Sequence, residues 1–260
     1  MQIKVAETAG FCFGVNRAVD TLDKMLGQGK KVCTLGPIIH NNIVVDDFKK
    51  KGAVIIDSPE AVPDGYGVVI RAHGVTKQVI DKLDQLGIDY VDATCPYVLK
   101  IHRIIKENSR EDNTVLIAGD EQHPEVCGFR SHCKGESFVF RNSDELEKIL
   151  SENRLFTNKE IIVVAQTTFS VKEWKKSLKI IEKVCTNRNS FDTICKATQN
   201  RQDEAEKLSA ECDAMIVIGG RHSSNTVKLK NVCETNCKTF LIERVEEVGE
   251  IDFSPIKELA

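Results

Sequence analysis

Short aliphatic runs bounded by glycine, proline or polar residues alternate along this chain with stretches whose apolar residues recur every three to four positions. Residues 31–35, 53–56, 68–70, 114–118, 137–140, 161–165, 214–218 and 239–242 read as strands. Between them, Val15, Ala18, Val19, Leu22, Met25 and Leu26 keep the spacing of one buried helix face, as do Val98, Ile101 and Ile105. Residues 197–208 form a third helical stretch, and residues 110–113 and 151–154 read as surface turns. Such alternation predicts an α/β protein.

The alternation repeats. Aligned on Cys12, Cys95 and Cys195, each cysteine opens a helix, an aliphatic strand follows, and a glycine stands 24 residues on, at Gly36, Gly119 and Gly219. A histidine comes three or four residues later, at His40, His123 and His222, and Asp-x-x-Cys precedes both Cys95 and Cys195. Four features in one order predict a threefold repeat, with lobes spanning residues 1–94, 95–193 and 194–260 and an N-terminal strand free to join the centre.

Composition sharpens the chemistry. With 36 Lys+Arg against 39 Asp+Glu, the net charge of −3 offers no case for nucleic acid or an anionic membrane. The longest aliphatic run, residues 161–165, is far below the ~20 residues of a membrane span, and residues 1–7 have no signal-peptide pattern, so a cytoplasmic location is expected. Ten cysteines are then too many to pass over, and in a reducing compartment they are not a disulfide framework. No CxxC occurs, which disfavours a dithiol redox motif or a zinc ribbon. Under threefold symmetry, however, Cys12, Cys95 and Cys195 converge, and three thiolates can hold a [4Fe–4S] cluster whose fourth iron stays open. The plain alternative is three structural cysteines at helix starts.

Polar residues gather after the strands: His40-Asn41-Asn42, Arg71-Ala-His73-Gly74, Gly119 to Glu125, Gln166-Thr167-Thr168 and Ser223-Ser224-Asn225-Thr226. Ligands of α/β proteins collect at those strand ends, and this set of imidazoles, hydroxyls and amides suits a small phosphorylated ligand. Neither GxxxxGK[ST] nor a helix-opening GxGxxG is present, so a nucleotide is not supported. Glu125, held beside Pro124 and near histidines, is the candidate proton donor.

Together, Ala9-Gly-Phe-Cys-Phe-Gly-Val15, Arg71-Ala-His-Gly-Val75, Asp92-Ala-Thr-Cys-Pro96, His123-Pro-Glu-Val126, Gln166-Thr-Thr168, residues 193–202 and Ser223-Ser-Asn-Thr226 resemble the 4-hydroxy-3-methylbut-2-enyl diphosphate reductases of the non-mevalonate isoprenoid pathway, the IspH or LytB family. The resemblance covers essentially the whole chain. It implies a trefoil of three α/β lobes around one [4Fe–4S] cluster with three cysteine ligands, Cys12, Cys95 and Cys195, and an open apical iron. It further implies that His40, His73, His123, Thr168, Ser223, Ser224 and Asn225 bind the substrate diphosphate, that Thr167 lies at its hydroxyl end, and that Glu125 is the proton source. The reaction implied removes the hydroxyl as water with two electrons and two protons, giving isopentenyl and dimethylallyl diphosphate. Reduced ferredoxin or flavodoxin would supply the electrons.

Two other readings of the residues stay open: a three-lobed iron–sulfur dehydratase, similar in plan to quinolinate synthase and using no electrons, and an oxygen-sensing iron–sulfur protein. The repeat carries one more expectation. Gly36 to His73 and Gly119 to Thr167 span 37 and 48 residues, which puts the third lobe's counterpart loop close to or beyond Ala260. The chain is therefore expected to lack that segment, which the resemblance identifies as a small-residue loop with another phosphate-binding serine.

Overall fold

The computed structural model describes residues 1–152 and 159–260. Its strands form three four-stranded parallel sheets of one topology. In the first, β2 (Val32–Leu35) lies between β3 (Val54–Ile56) and β4 (Gly67–Ile70), and β5 (Tyr90–Asp92) lies outside β4. In the second, β6 (Thr114–Ala118) takes that inner place beside β7 (Glu136–Phe140) and β8 (Ile161–Ala165), with β9 (Arg188–Ser190) at the edge. In the third, β10 (Ala214–Ile218) is flanked by β11 (Lys238–Ile242) and β12 (Glu258–Leu259), and the edge is β1 (Gln2–Ile3).

This last strand corrects the lobe division. Residues 2–3 fall within the stretch assigned to the first lobe, yet Gln2 and Ile3 pair with Glu258 and Leu259 in the third sheet. Residues 258–259 form β12, the counterpart of β4 and β8.

The correction makes the three cysteines equivalent. Each edge strand leads to a cysteine and then to a helix that packs on the next sheet. β5 leads to Cys95 and α4 (Pro96–Asn108), whose Val98, Ile101 and Ile105 pack with Val115, Ile117 and Ile162 of the second sheet. β9 leads to Cys195 and α8 (Lys196–Glu211), whose Ala205 packs with Met215 and Val217 of the third. β1 leads to Cys12 and α1 (Phe13–Gly27), whose Ala18 and Leu22 pack with Val32 and Val69 of the first. Every cysteine thus stands where the chain crosses between lobes.

Sheets covered on both faces need apolar residues on both. In the second lobe, alternate residues of β6 and β8 do this: Leu116 and Val163 face Trp174 and Ile181, while Val115 and Ile162 face α4. Trp174 and Ile181 belong to α7 (Val171–Val184), which shares that face with α6 (Ser143–Glu152). Ser151 and Glu152, read as a turn, close α6; Asn153 and Arg154 lie outside the described residues. Among the described residues no helix is long and apolar enough to cross a membrane.

Candidate functional site

The loops after β2, β4, β6, β8 and β10 meet in one region. From the first lobe come His40, beyond β2 and before α2 (Asn42–Lys50), and His73, between β4 and α3 (Lys77–Leu86). From the second comes His123, the residue before α5 (Pro124–Ser131). The three rings meet: the His40 and His73 centroids are 4.2 Å apart, and His123 stands 5.4 Å from each. A ring nitrogen of each lies within 4.8 Å of the others. Burial drives all three rings toward neutrality, lowering His40, holding His73 well below the usual imidazole range and taking His123 down to about 3. His40 Nε2 and His73 Nδ1 are buried without a hydrogen-bond partner. Buried polar atoms left this way are rare in folded proteins and ask for a ligand.

His222, the repeat counterpart of His40 and His123, is exposed and outside the triad; His73 takes part instead. The third lobe comes close by a different device. Gly220 lies against the His40 carbonyl, where a Cβ would collide, so only glycine lets this loop approach the first lobe. Beyond it Ser223 caps α9 (Ser224–Cys233), accepting from Thr226 N–H at 3.4 Å. Ser224 accepts from the Thr168 hydroxyl at 3.0 Å, which ties α9 to the second lobe. Asn225, in the first turn, is half-buried and makes no hydrogen bond among the described residues.

The second lobe also supplies a carboxyl. Pro124 starts α5, the His123 ring accepts the Glu125 N–H at 3.2 Å, and Glu125 is turned inward, 4% exposed. Among the described residues its carboxyl bonds to Thr167 alone: the backbone N–H donates to Oε2 at 3.1 Å, and Oγ1 lies 2.9 Å from both carboxyl oxygens. Burial pushes Glu125 up to about 7, against the opposing pull of Thr167 and the Lys228 charge. The Thr167 carbonyl in turn accepts the Cys195 N–H at 3.0 Å, so the carboxyl lies one residue from a cysteine crossing.

Cys12, Cys95 and Cys195 are the residues before α1, α4 and α8, all half-buried and all free. Cys95 Sγ rests against Gly14, where a Cβ would strike it, and the charges of Cys12 and Glu125 both act on it. Helix N-termini favour thiolate, and an iron–sulfur cluster takes thiolates from separate chain segments, so this donor set fits one. Among the described residues the three sulfurs do not draw together around a single ion, unlike the histidine nitrogens. The remaining cysteines differ: Cys33, Cys185, Cys212 and Cys233 are buried in or beside the hydrophobic cores, and Cys127, Cys133 and Cys237 are half-buried, the last two packed against cores.

Three charged or titratable groups here were given no role of their own by the sequence reading. Arg71, the first residue after β4, is held by the Gly74 carbonyl at 3.2 Å from Nε. Lys228 sits one turn after Ser224 on α9, with Nζ 4.8 Å from the Phe169 ring centroid. His102, on α4, wedges between Gly74 and Gly128 with Nε2 unpartnered, and burial lowers it to about 4. Helical spacing from Ser224 was the available signal for Lys228; nothing local marks His102.

The LytB protein family profile matches residues 3–260. The chain is 43% identical over 253 residues to the 4-hydroxy-3-methylbut-2-enyl diphosphate reductase of Thermoanaerobacter sp. (strain X514), covering 95% of this chain and 86% of that protein. It is 38% identical over 259 residues to the reductase of the same name from Alkaliphilus oremlandii (strain OhILAs), covering 99% and 90%. Among solved structures, the E-1-hydroxy-2-methyl-but-2-enyl-4-diphosphate reductase of Plasmodium falciparum superposes with a TM-score of 0.90 at 28% identity, over 99% of this chain and 80% of that one. With profile, relatives and three-lobed architecture in agreement, the chain belongs to the LytB family.

Proposed function

We propose that this protein reduces 4-hydroxy-3-methylbut-2-enyl diphosphate, the substrate in its relatives' name, to isopentenyl and dimethylallyl diphosphate. In this reaction a C–O bond breaks, a C–H bond forms and the oxygen leaves as water, consuming two electrons and two protons. A [4Fe–4S] cluster held by Cys12, Cys95 and Cys195 would supply electrons one at a time and a Lewis-acidic iron. Ferredoxin or flavodoxin would feed it. The reading places the protein in the cytoplasm, where such thiols stay reduced.

The observation that carries the reading is the Glu125–Thr167 pair beside a cysteine crossing. At Oε2 the carboxyl accepts the Thr167 N–H, so a neutral Glu125 keeps its proton on Oε1. Oε1 is 2.9 Å from Thr167 Oγ1, which can accept that proton and pass its own to a substrate hydroxyl. At the other end His40, His73 and His123 present neutral rings, and Thr168, Ser223, Ser224 and Asn225 present hydroxyl and amide groups, to the diphosphate. That remote anchoring positions a small apolar skeleton at the proton donor.

Anaerobic turnover with a one-electron reductant tests this. Both diphosphates should form with two electrons consumed per product; turnover without reductant would show a dehydration instead.

A further inference from the structure

The three histidine rings are neutral, the hydroxyls and amides carry no charge, and Glu125 is an acid. A diphosphate bound among them brings more than one negative charge out of water. Two cations border the site. Arg71, in the first lobe, donates from Nε to the Gly74 carbonyl, lies against Gly36, and its charge already acts on His40, His73 and His123. Lys228, across the site in the third, has neither hydrogen bond nor ion pair among the described residues.

Its placement is specific. Ser224 and Lys228 stand at i and i+4 on one face of α9, and they meet consecutive residues of the second lobe. Ser224 bonds to Thr168, and the Lys228 ammonium lies over Phe169, which is 1% exposed. The two carboxyls acting on it, Glu125 and Asp120, lie beyond ion-pair distance, and it acts in turn on His123 and Glu125. A cation drawn into a cleft without a counter-ion is costly unless something anionic arrives to meet it. Burial lowers the ammonium to about 8, so it remains protonated at neutral pH.

We propose that Lys228 is the counter-charge for the diphosphate, a positioning residue that draws α9 of the third lobe and Phe169 of the second onto the phosphate end of the ligand. The proposal rests on the diphosphate reading above and extends it. A lysine suits this role because a compact ammonium on a flexible stem can stay on the ring in the empty site and turn to phosphate in the filled one.

Calorimetric titration of the purified chain with inorganic diphosphate separates the two ideas. Wild-type protein that fails to bind diphosphate overturns the diphosphate reading itself. Given wild-type binding, Lys228→Met, which keeps the apolar stem, should weaken affinity by about tenfold or more and flatten its dependence on salt. Lys228→Gln should do the same, and Lys228→Arg should restore most of the affinity. In the cluster-loaded enzyme the Met variant should raise KM more than it lowers kcat, because Glu125 and Thr167 remain in place. A lysine that served only to dock the lobes would lower the melting temperature and leave the salt dependence of binding unchanged. Wild-type affinity in either neutral variant overturns the proposal, whatever its stability.

Discussion

The second and third lobes share one topology and differ in burial among the described residues. In the second, β6 pairs over its full five residues with β7 on one side and β8 on the other, and every residue of β6 and β8 is buried. In the third, β10 pairs fully with β11 but meets β12 at Ala214 opposite Leu259, and Ile218 at its far end is 73% exposed. On the proposed reading, Glu125 and Thr167, the proton donors, stand on the more fully buried sheet, and Ser223, Ser224, Asn225 and Lys228, the groups assigned to the diphosphate, follow the less buried one. Proton transfer asks for closer placement than charge capture, and the better-packed lobe suits it.

The largest expected effect lies where the lobes should not differ at all. Serine at Cys12, Cys95 or Cys195 should each reduce iron and acid-labile sulfide to background after anaerobic reconstitution, since each cysteine marks an equivalent crossing. Serine at buried Cys212 should leave both intact; cluster loss there would mean the ligands are misassigned.

Next comes Glu125 of the second lobe, the proposed proton donor. Glu125→Gln should cut turnover by about 10²–10⁴-fold with little change in diphosphate binding. Stability should move the other way. The folded pKa of about 7 exceeds the unfolded value near 4.5, so wild-type stability falls as pH rises through that interval and stays reduced above it. Gln lifts the penalty, and denaturant titration should find the variant more stable at pH 8 by up to about 3 kcal/mol and unchanged at pH 4. Equal stability at both pH values would return Glu125 to an ordinary carboxylate.

Core packing should then distinguish the lobes directly. Leu116→Ala in β6 removes a side chain with no exposure and should cost about 2–5 kcal/mol by urea unfolding. The smallest effect belongs to the third lobe: Ile218→Thr should stay within about 0.5 kcal/mol, and a loss comparable to Leu116→Ala would show that the lobes are equally packed.

How much of this was legible before folding follows the same physics. The eight predicted strands all form: the five inner ones, largely buried on both faces, read as aliphatic runs, and the edge strands β3, β7 and β11 keep enough apolar residues to read alike. The four that were missed are edge or pairing strands. Tyr90–Asp92 and Arg188–Ser190 carry polar residues on partly solvated edges, and the two-residue strands at either end of the chain exist only through each other. In the site, the cysteines and Glu125 announced themselves by repeat and by a flanking proline. Lys228 stayed hidden because Val227-Lys228-Leu229-Lys230 reads as a solvated helix, and its meeting with Phe169 depends on two lobes docking. His73 was marked by its place in a strand-end loop and not by the repeat, which pointed to His222.

The pairing of β1 with β12 also bears on when this protein can become itself. Lys4 and Glu258, 254 positions apart, hydrogen-bond at 3.2 Å beside that pairing, a contact of very high order. Closing so long a loop costs entropy, so the pairing of the third sheet's edge should form late in refolding, after the local contacts of each lobe. Cys12 follows that edge strand, so on the proposed reading the cluster site gains its full support on that side only when the ring closes.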